Sequence, residues 1–249
     1  MKNLTTKMTL AAAMTLAMAT FGAPAAQAQE AAPEHAVTFN AALSSDYRYR
    51  GLSQSRFQPA LSAGADYTHS PTGFYVGTWA STIKWIDDVG GDAKIEIDVY
   101  GGKRGEIAPG FTYDVGGLYY VYPDAGLAVS PNTFELYGQL NYSIAYVKYS
   151  HSTTNLFGTA NSKGSGYLDV GANVELSPGL VLNLHAGRQR VANNGIYSYN
   201  DFKIGLTKDL GFASLSGALI KAQTDDYISP KNGKNLGKTG FVASLSKTF

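Results

Sequence analysis

The 249-residue chain contains no cysteine. That excludes a disulfide framework, a thiolate metal site and a lipid-anchored cysteine behind a leader. Neither sign of charge dominates, with 20 Lys and Arg against 19 Asp and Glu, so nothing in the balance points to nucleic acid as a partner. Histidine is scarce: His35, His69, His151 and His185 follow no metal-ligand spacing. Long apolar runs are also missing. Beyond Gly22 no stretch approaches the roughly 20 residues of a membrane helix, so the rest of the chain is either soluble or crosses a membrane as strands.

What the chain does have begins with a leader. Lys2 and Lys7 precede a short apolar run, Leu10 to Gly22, and Ala26-Gln27-Ala28 is a small-x-small cleavage signal. Residues 1–28 therefore read as a secretory signal peptide, with 29–249 as the mature chain. Removing the two lysines leaves 18 basic against 19 acidic residues, a net charge of about −1. Tyrosine (17) and glycine (28) are abundant. Tyr47, Tyr49, Tyr67, Trp79, Trp85, Tyr119, Tyr120, Tyr122 and Tyr197 recur near segment ends, the pattern expected of aromatic girdles at two bilayer interfaces.

Hydrophobicity repeats every second residue almost throughout. Val37, Phe39, Ala41 and Leu43 alternate with Thr38, Asn40, Ala42 and Ser44; Leu168, Val170, Ala172, Val174 and Leu176 alternate with Asp169, Gly171, Asn173 and Glu175. This reading gives twelve strand segments: 37–48, 58–69, 74–86, 93–103, 111–122, 133–141, 144–151, 166–176, 180–190, 198–208, 212–223 and 240–249. The third alternates poorly, and its faces stay unassigned. Short connections such as Ser177-Pro178-Gly179 take turns with long polar ones such as 49–57, 152–165 and 224–238. In an up-and-down barrel, alternate connections lie at the same end, so turns gather at one rim and loops at the other.

The final strand, GFVASLSKTF (240–249), places Phe241, Ala243, Leu245 and Phe249 on one face and Val242, Ser244, Ser246 and Thr248 on the other. An unpaired terminal strand is a liability that barrel closure removes. Its C-terminal Phe resembles the assembly signal of bacterial outer-membrane barrels. SSDYRYRGLSQSRFQPALSAGADYTH (44–69), TGFYVGTWAS (72–81), IEIDVYGG (95–102) and YDVGGLYYVYP (113–123) resemble the TorF-type porin family, a proteobacterial outer-membrane family of uncharacterised function. The likeness fades after about Tyr142. It implies an outer-membrane barrel with a channel role, and it brings no substrate or catalytic residue.

The expected fold is all-β: a single transmembrane up-and-down antiparallel barrel of about twelve strands. Polar residues opposite the apolar set then line a lumen. The candidates are Asp46, Arg48, Arg50, Lys94, Glu96, Asp98, Glu135, Asp169, Glu175, Arg190, Asp201 and Lys203, together with His185. Such mixed charge tunes pore selectivity, or pairs across the lumen and fills it. Asp46 is one partner available to the Arg48/Arg50 pair. The expected role is passive diffusion of small hydrophilic solutes, with no catalytic, cofactor or metal site. Expected partners are outer-membrane lipid and lipopolysaccharide, and the barrel assembly machinery through the strand ending at Phe249. A non-conducting barrel acting through its loops is the alternative. A rim phospholipase is a remote one, because His151 is followed directly by Ser152 and lacks the family's His-x-Ser-Asn order. Asp87, Asp88 and Asp92 share a loop, as do Asp225 and Asp226, without the ordered spacing of a calcium loop.

Overall fold

A computed structural model describes residues 33–249; the leader and its cleavage site lie outside the described residues. Twelve antiparallel strands close a barrel. In chain order the elements are β1 (His35–Ser44), β2 (Arg48–Tyr49), β3 (Leu52–Ser53), β4 (Ala60–His69), β5 (Phe74–Thr82), α1 (Trp85–Asp88), β6 (Ile95–Ala108), β7 (Phe111–Val121), β8 (Thr133–Tyr142), β9 (Ala145–Ser152), β10 (Gly166–Ser177), β11 (Leu180–Arg190), β12 (Tyr199–Asp209), β13 (Ser214–Gln223) and β14 (Gly240–Thr248). Each barrel strand pairs with its sequence neighbours, and β14 closes on β1 from Asn40↔Thr248 to Ser44↔Ser244. Phe249 N–H extends this seam by donating to the Phe39 carbonyl at 2.8 Å. Closure joins the two strands that would otherwise be the edges of an open sheet. β2 and β3 form a separate two-stranded hairpin that is not part of the wall.

The period-2 pattern sets the two faces. Val37, Phe39 and Leu43 on β1, Leu136 and Leu140 on β8, Leu168 and Val170 on β10, Ile204 and Leu206 on β12, and Phe241 and Leu245 on β14 all point outward and exposed. This apolar belt runs around the whole circumference, far beyond the patch a soluble monomer leaves bare. Two expectations about faces need correction. β5, which sequence alternation left unassigned, alternates cleanly: Tyr75, Trp79 and Ser81 are buried inward and Phe74 and Val76 are exposed outward. Its inward aromatics had masked the period. Nor do the aromatics all form girdles. Tyr67 and Tyr119 face outward, whereas Tyr47, Trp79, Tyr120 and Tyr122 are buried inside.

Many inward tyrosines cover glycines across the strand pair. A Cβ added at Gly77 would strike the Tyr100 ring, one at Gly102 would strike Tyr75, and one at Gly116 would strike Tyr137. Gly171 bears the same relation to Tyr146, and Gly187 to Tyr167. Each ring fills the gap that the missing side chain leaves in the wall.

The turns at one end are short. At the other end the loops following β5, β7 and β9 fold over the barrel mouth. Ile86 of α1 is completely buried there. Phe157, from the β9–β10 loop, packs edge-on against Tyr49 and Tyr120 with ring centres 5.4 and 5.3 Å away. With the inward Tyr75, Trp79, Tyr100 and Leu118 of the wall, this aromatic cap forms the larger of two buried hydrophobic clusters among the described residues.

Candidate functional site

The segment between β1 and β4 does not stay outside as an extracellular-type loop. It folds into the barrel, and so Asp46, Arg48 and Arg50 belong to an inserted hairpin rather than to the first strand. The strand stops at Ser44, four residues short of the expected Arg48. The hairpin pairs Arg48↔Ser53 and Tyr49↔Leu52, leaving Arg50 and Gly51 in the turn with φ of 46° and 81°. Positive φ at both central positions is the two-residue type I′ geometry, whose twist matches a hairpin. Gly51 also sits against the wall, where a Cβ would come within 2.7 Å of the Asp201 Cβ.

Asp46 organises this insert. Its Oδ1 accepts from the Ser53 and Ser55 hydroxyls at 2.6 and 2.9 Å, and its Oδ2 accepts from Arg48 Nε at 2.5 Å. Arg48 Nη1 then donates to the carbonyls of Gly51, Leu236 and Lys238 at 2.9, 3.1 and 3.1 Å. This ties the first loop to the last. At the tip, Arg50 Nη2 donates to Glu135 Oε2 at 2.6 Å, and Nη1 donates to Gln189 Oε1 at 2.7 Å. The guanidinium lies 4.7 Å from the Tyr49 ring centre and 4.3 Å from that of Tyr167. Both members of the Arg50–Glu135 pair are under a tenth exposed. Further out, Arg56 bridges Asp87 and Asp88 at 2.8 and 2.7 Å, with Lys231 Nζ 3.2 Å from Asp87. Hydrogen bonds from Arg56 and then Lys231 hold the Asp87 carboxyl down to about 2. These loop acids are thus held by cations.

The wall supplies the other half of the site. Glu96 accepts from the Tyr47 and Tyr122 hydroxyls, both at 2.6 Å. His185 bridges Asp169 (2.8 Å from Nδ1) and Asp201 (2.6 Å from Nε2), and the Tyr167 hydroxyl donates to Asp201 at 2.9 Å. The Lys148 ammonium lies 4.3 Å from the Tyr137 ring centre. Asp98 is buried, and its Oδ1 has no hydrogen-bond partner. Below the hairpin these side chains enclose a cavity of about 110 Å³ lined by Arg50, Asp98, Lys148, Asp169, His185, Asp201 and Lys203 among others, room for several waters.

Ten of the sequence candidates therefore converge inside the barrel: Asp46, Arg48 and Arg50 on the hairpin, and Glu96, Asp98, Glu135, Asp169, His185, Asp201 and Lys203 on the wall. Three do not. Lys94 precedes β6 and is exposed in the preceding loop. Glu175 keeps the inward register of β10 but lies exposed at the short-turn rim, where it accepts from Gly179 N–H at 3.4 Å. Arg190 points outward, because it shares parity with Leu184 and Ala186 while buried Gln189 faces the lumen. Gln189, Lys148, Asp66, Asp114 and Arg104 were missed; strand parity alone would have found them. The rim-hydrolase pair is not assembled. His151 is exposed on the outer face, whereas Ser152 is fully buried and donates to the Thr154 carbonyl at 2.8 Å.

The same architecture occurs in solved porins. The KdgM porin superposes with a TM-score of 0.52 at 6% identity, over 86% of this chain and 97% of that one. A structure of KdgM in complex with disordered oligogalacturonate gives 0.53 at 6%, covering 86% and 98%. The NanC porin gives 0.51 at 9%, covering 86% and 98%. At such identities the likeness is one of fold. No curated protein matches the chain. The sequence model of one family does match, over residues 28–249, which include the whole barrel, and the protein accordingly belongs to the bacterial family of unknown function designated Gcw_chp.

Proposed function

We propose that this protein is a narrow outer-membrane porin, of the kind the TorF-type resemblance implies, through which small hydrophilic solutes diffuse passively. The observation that carries this reading is the inserted hairpin of residues 45–59, whose charges meet those of the wall just inside the long-loop end of a porin-type barrel. Twelve strands about 4.8 Å apart and tilted by about 40° enclose a backbone tube of roughly 24 Å, and about 5 Å of side chain from each wall leaves a bore of about 14 Å. Such a bore passes small solutes without discrimination. The hairpin narrows it and brings Arg50 to Lys148, Asp98 and Asp169 of the wall, which line the same cavity, so selectivity rests on size and on both signs of charge. The apolar belt fits the hydrocarbon of the outer membrane, with lipopolysaccharide around the loop end, and the strand ending at Phe249 is the segment the assembly machinery engages.

A second reading draws on the completeness of the pairing. Arg48 with Asp46 and Arg50 with Glu135 are buried, fully paired charges inside the barrel, as expected of a non-conducting barrel that acts through its loops. Planar-bilayer recording separates the two. Reproducible single-channel steps from folded protein support the porin; a folded protein that gives none leaves the loop-acting barrel.

A further inference from the structure

We propose that Glu34, His35 and His69 form a site for one transition-metal dication of the Zn²⁺ or Cu²⁺ class, on the outer face at the short-turn end. The site is independent of the lumen and of any transport role. Nothing in the linear spacing announces it, since the two histidines are 34 positions apart. The barrel register brings them together: His35 and His69 are directly opposed on β1 and β4, with ring centres 5.0 Å apart. Glu34 Oε1 lies 3.6 Å from His35 Nε2 and 3.5 Å from His69 Nε2. Among the described residues this is the only set of three His, Asp or Glu whose ligand atoms all lie within 4.8 Å of one another.

Those separations discriminate between two explanations. An N–H···O bond closes to about 2.7–3.2 Å, so 3.5–3.6 Å is loose for mutual hydrogen bonding. Tetrahedral bonds of about 2.0–2.2 Å to a metal set neighbouring ligand atoms about 3.3–3.6 Å apart. The two carboxylate–imidazole separations have the spacing of ligand edges, and the two imidazole ligand atoms lie within 4.8 Å of each other.

The surroundings also aim the donors. His35 Nδ1 is hydrogen-bonded to the Tyr67 hydroxyl at 2.8 Å, and His69 Nδ1 to Thr72 Oγ1 at 2.7 Å. Both imidazoles thus turn Nε2 toward Glu34, the outer-layer arrangement that orients metal-binding histidines. Glu34 is not a loose end. Its carbonyl accepts from Ser70 N–H at 2.9 Å, and the Ser70 hydroxyl donates to the Pro33 carbonyl at 2.7 Å. Two imidazoles and one carboxylate favour Zn²⁺, Cu²⁺ or Ni²⁺ over Mg²⁺ and Ca²⁺, which take oxygen donors. Three protein ligands leave a fourth position for water. A bound ion would clip the start of β1 to the β4–β5 turn.

The test uses the full chain, folded in detergent and stripped with EDTA. Cu²⁺ titration followed by electron paramagnetic resonance should show one equivalent bound, with hyperfine coupling from two nitrogens. Zn²⁺ should compete for it and Mg²⁺ should not. H35A and H69A should each weaken the affinity by at least 100-fold, and E34Q by about tenfold. All three positions lie at the surface, so retention of the folded band on unheated gels controls for misfolding. Failure to bind Cu²⁺ or Zn²⁺ at micromolar concentration would overturn the site. So would one-equivalent binding that survives H35A and H69A together.

Discussion

Removing the Arg50 side chain should open the barrel without unfolding it. R50A deletes an ion pair at 2.6 Å, a hydrogen bond at 2.7 Å and two ring contacts. It also leaves Glu135 buried among the Tyr49 and Tyr120 hydroxyls without its cation. Breaking a buried pair from one side costs about 3–5 kcal/mol. Alanine gains nothing in return at this position, because a φ of 46° is as strained for Ala as for Arg. The remaining anchors, Asp46 with Arg48 and Arg56 with Asp87 and Asp88, hold the base of the loop rather than its tip. A loss of about 3 kcal/mol multiplies the population with the tip displaced by roughly 100-fold, at about 1.4 kcal/mol per tenfold. None of the lost contacts belongs to the strand ladder, so the barrel itself should melt close to the wild type. Planar-bilayer recording should therefore show larger or longer-lived openings for R50A, and R50K should fall between the two because a point charge cannot reach both Glu135 and Gln189. A folded R50A protein whose conductance and open times match the wild type would refute the assignment of the hairpin as the constriction.

Two further expectations follow from the wall and the loops. Gly187 lies under the Tyr167 hydroxyl and the Asp201 carboxylate, so G187V must drive Tyr167 from Asp201. Overpacking of about 1–3 kcal/mol should appear as a lower unfolding midpoint in urea, whereas G195A, with open space around its Cβ, should leave the midpoint unchanged; equal midpoints for G187V and G195A would count against the covering role of the rings. Asp87 is held down to about 2 by Arg56 and Lys231, below the usual aspartate value of about 3.9. Its contribution to loop order is therefore full above about pH 4 and is lost as the pH falls toward about 2. Emission from Trp85, in the same short helix, should shift across that window in the wild type and not in D87N. An identical shift in both would place the acid sensitivity elsewhere.

The barrel was legible because its outer face obeys a single rule. Val37, Phe39 and Leu43, or Phe241 and Leu245, are apolar at every second position, and tertiary context has only to choose which side is out. The lumen was legible in part, because inward residues follow no single class. Tyr75 and Trp79 count as hydrophobic yet face inward, and that blurred β5. Arg190 counts as polar yet faces outward at the strand end, where a long cation reaches past the apolar belt. The inserted hairpin was illegible for a different reason. Its strand tendency, its charges and its Arg-Gly turn suit an outer loop equally well. What turns it inward are Glu135 and Gln189, 85 and 139 positions away from Arg50. The His35–His69 juxtaposition likewise depends on register, which no spacing within one strand encodes.

Side-chain size is distributed unevenly around the inside of the barrel, and on the proposed porin reading this sets where a solute would travel. From β5 to β12 the inward positions carry Tyr75, Trp79, Tyr100, Tyr120, Tyr137, Tyr146, Tyr167 and Tyr199, many of them over glycines or against carboxylates. On the opposite arc, β13, β14, β1 and β4 present Ser216, Ala218, Val242, Ser244, Ser246, Thr38, Ala42 and Ser62. Apart from Ala218, each of these keeps partial exposure although it points into the barrel, as expected where water fills the space beside a small side chain. On the proposed porin reading, the free bore runs off-centre, up the Ser/Ala/Thr arc from the short-turn rim, and is narrowest where Gly51 sits against Asp201 and Ala222. One arc of the wall supplies the width, the other the charge and the aromatic surface, and the tip of the hairpin is where the two meet. Enlarging the small arc, as in A42F with S244F, should then lower conductance in a background already opened by R50A, while equally large changes among the outward residues of the same strands should not.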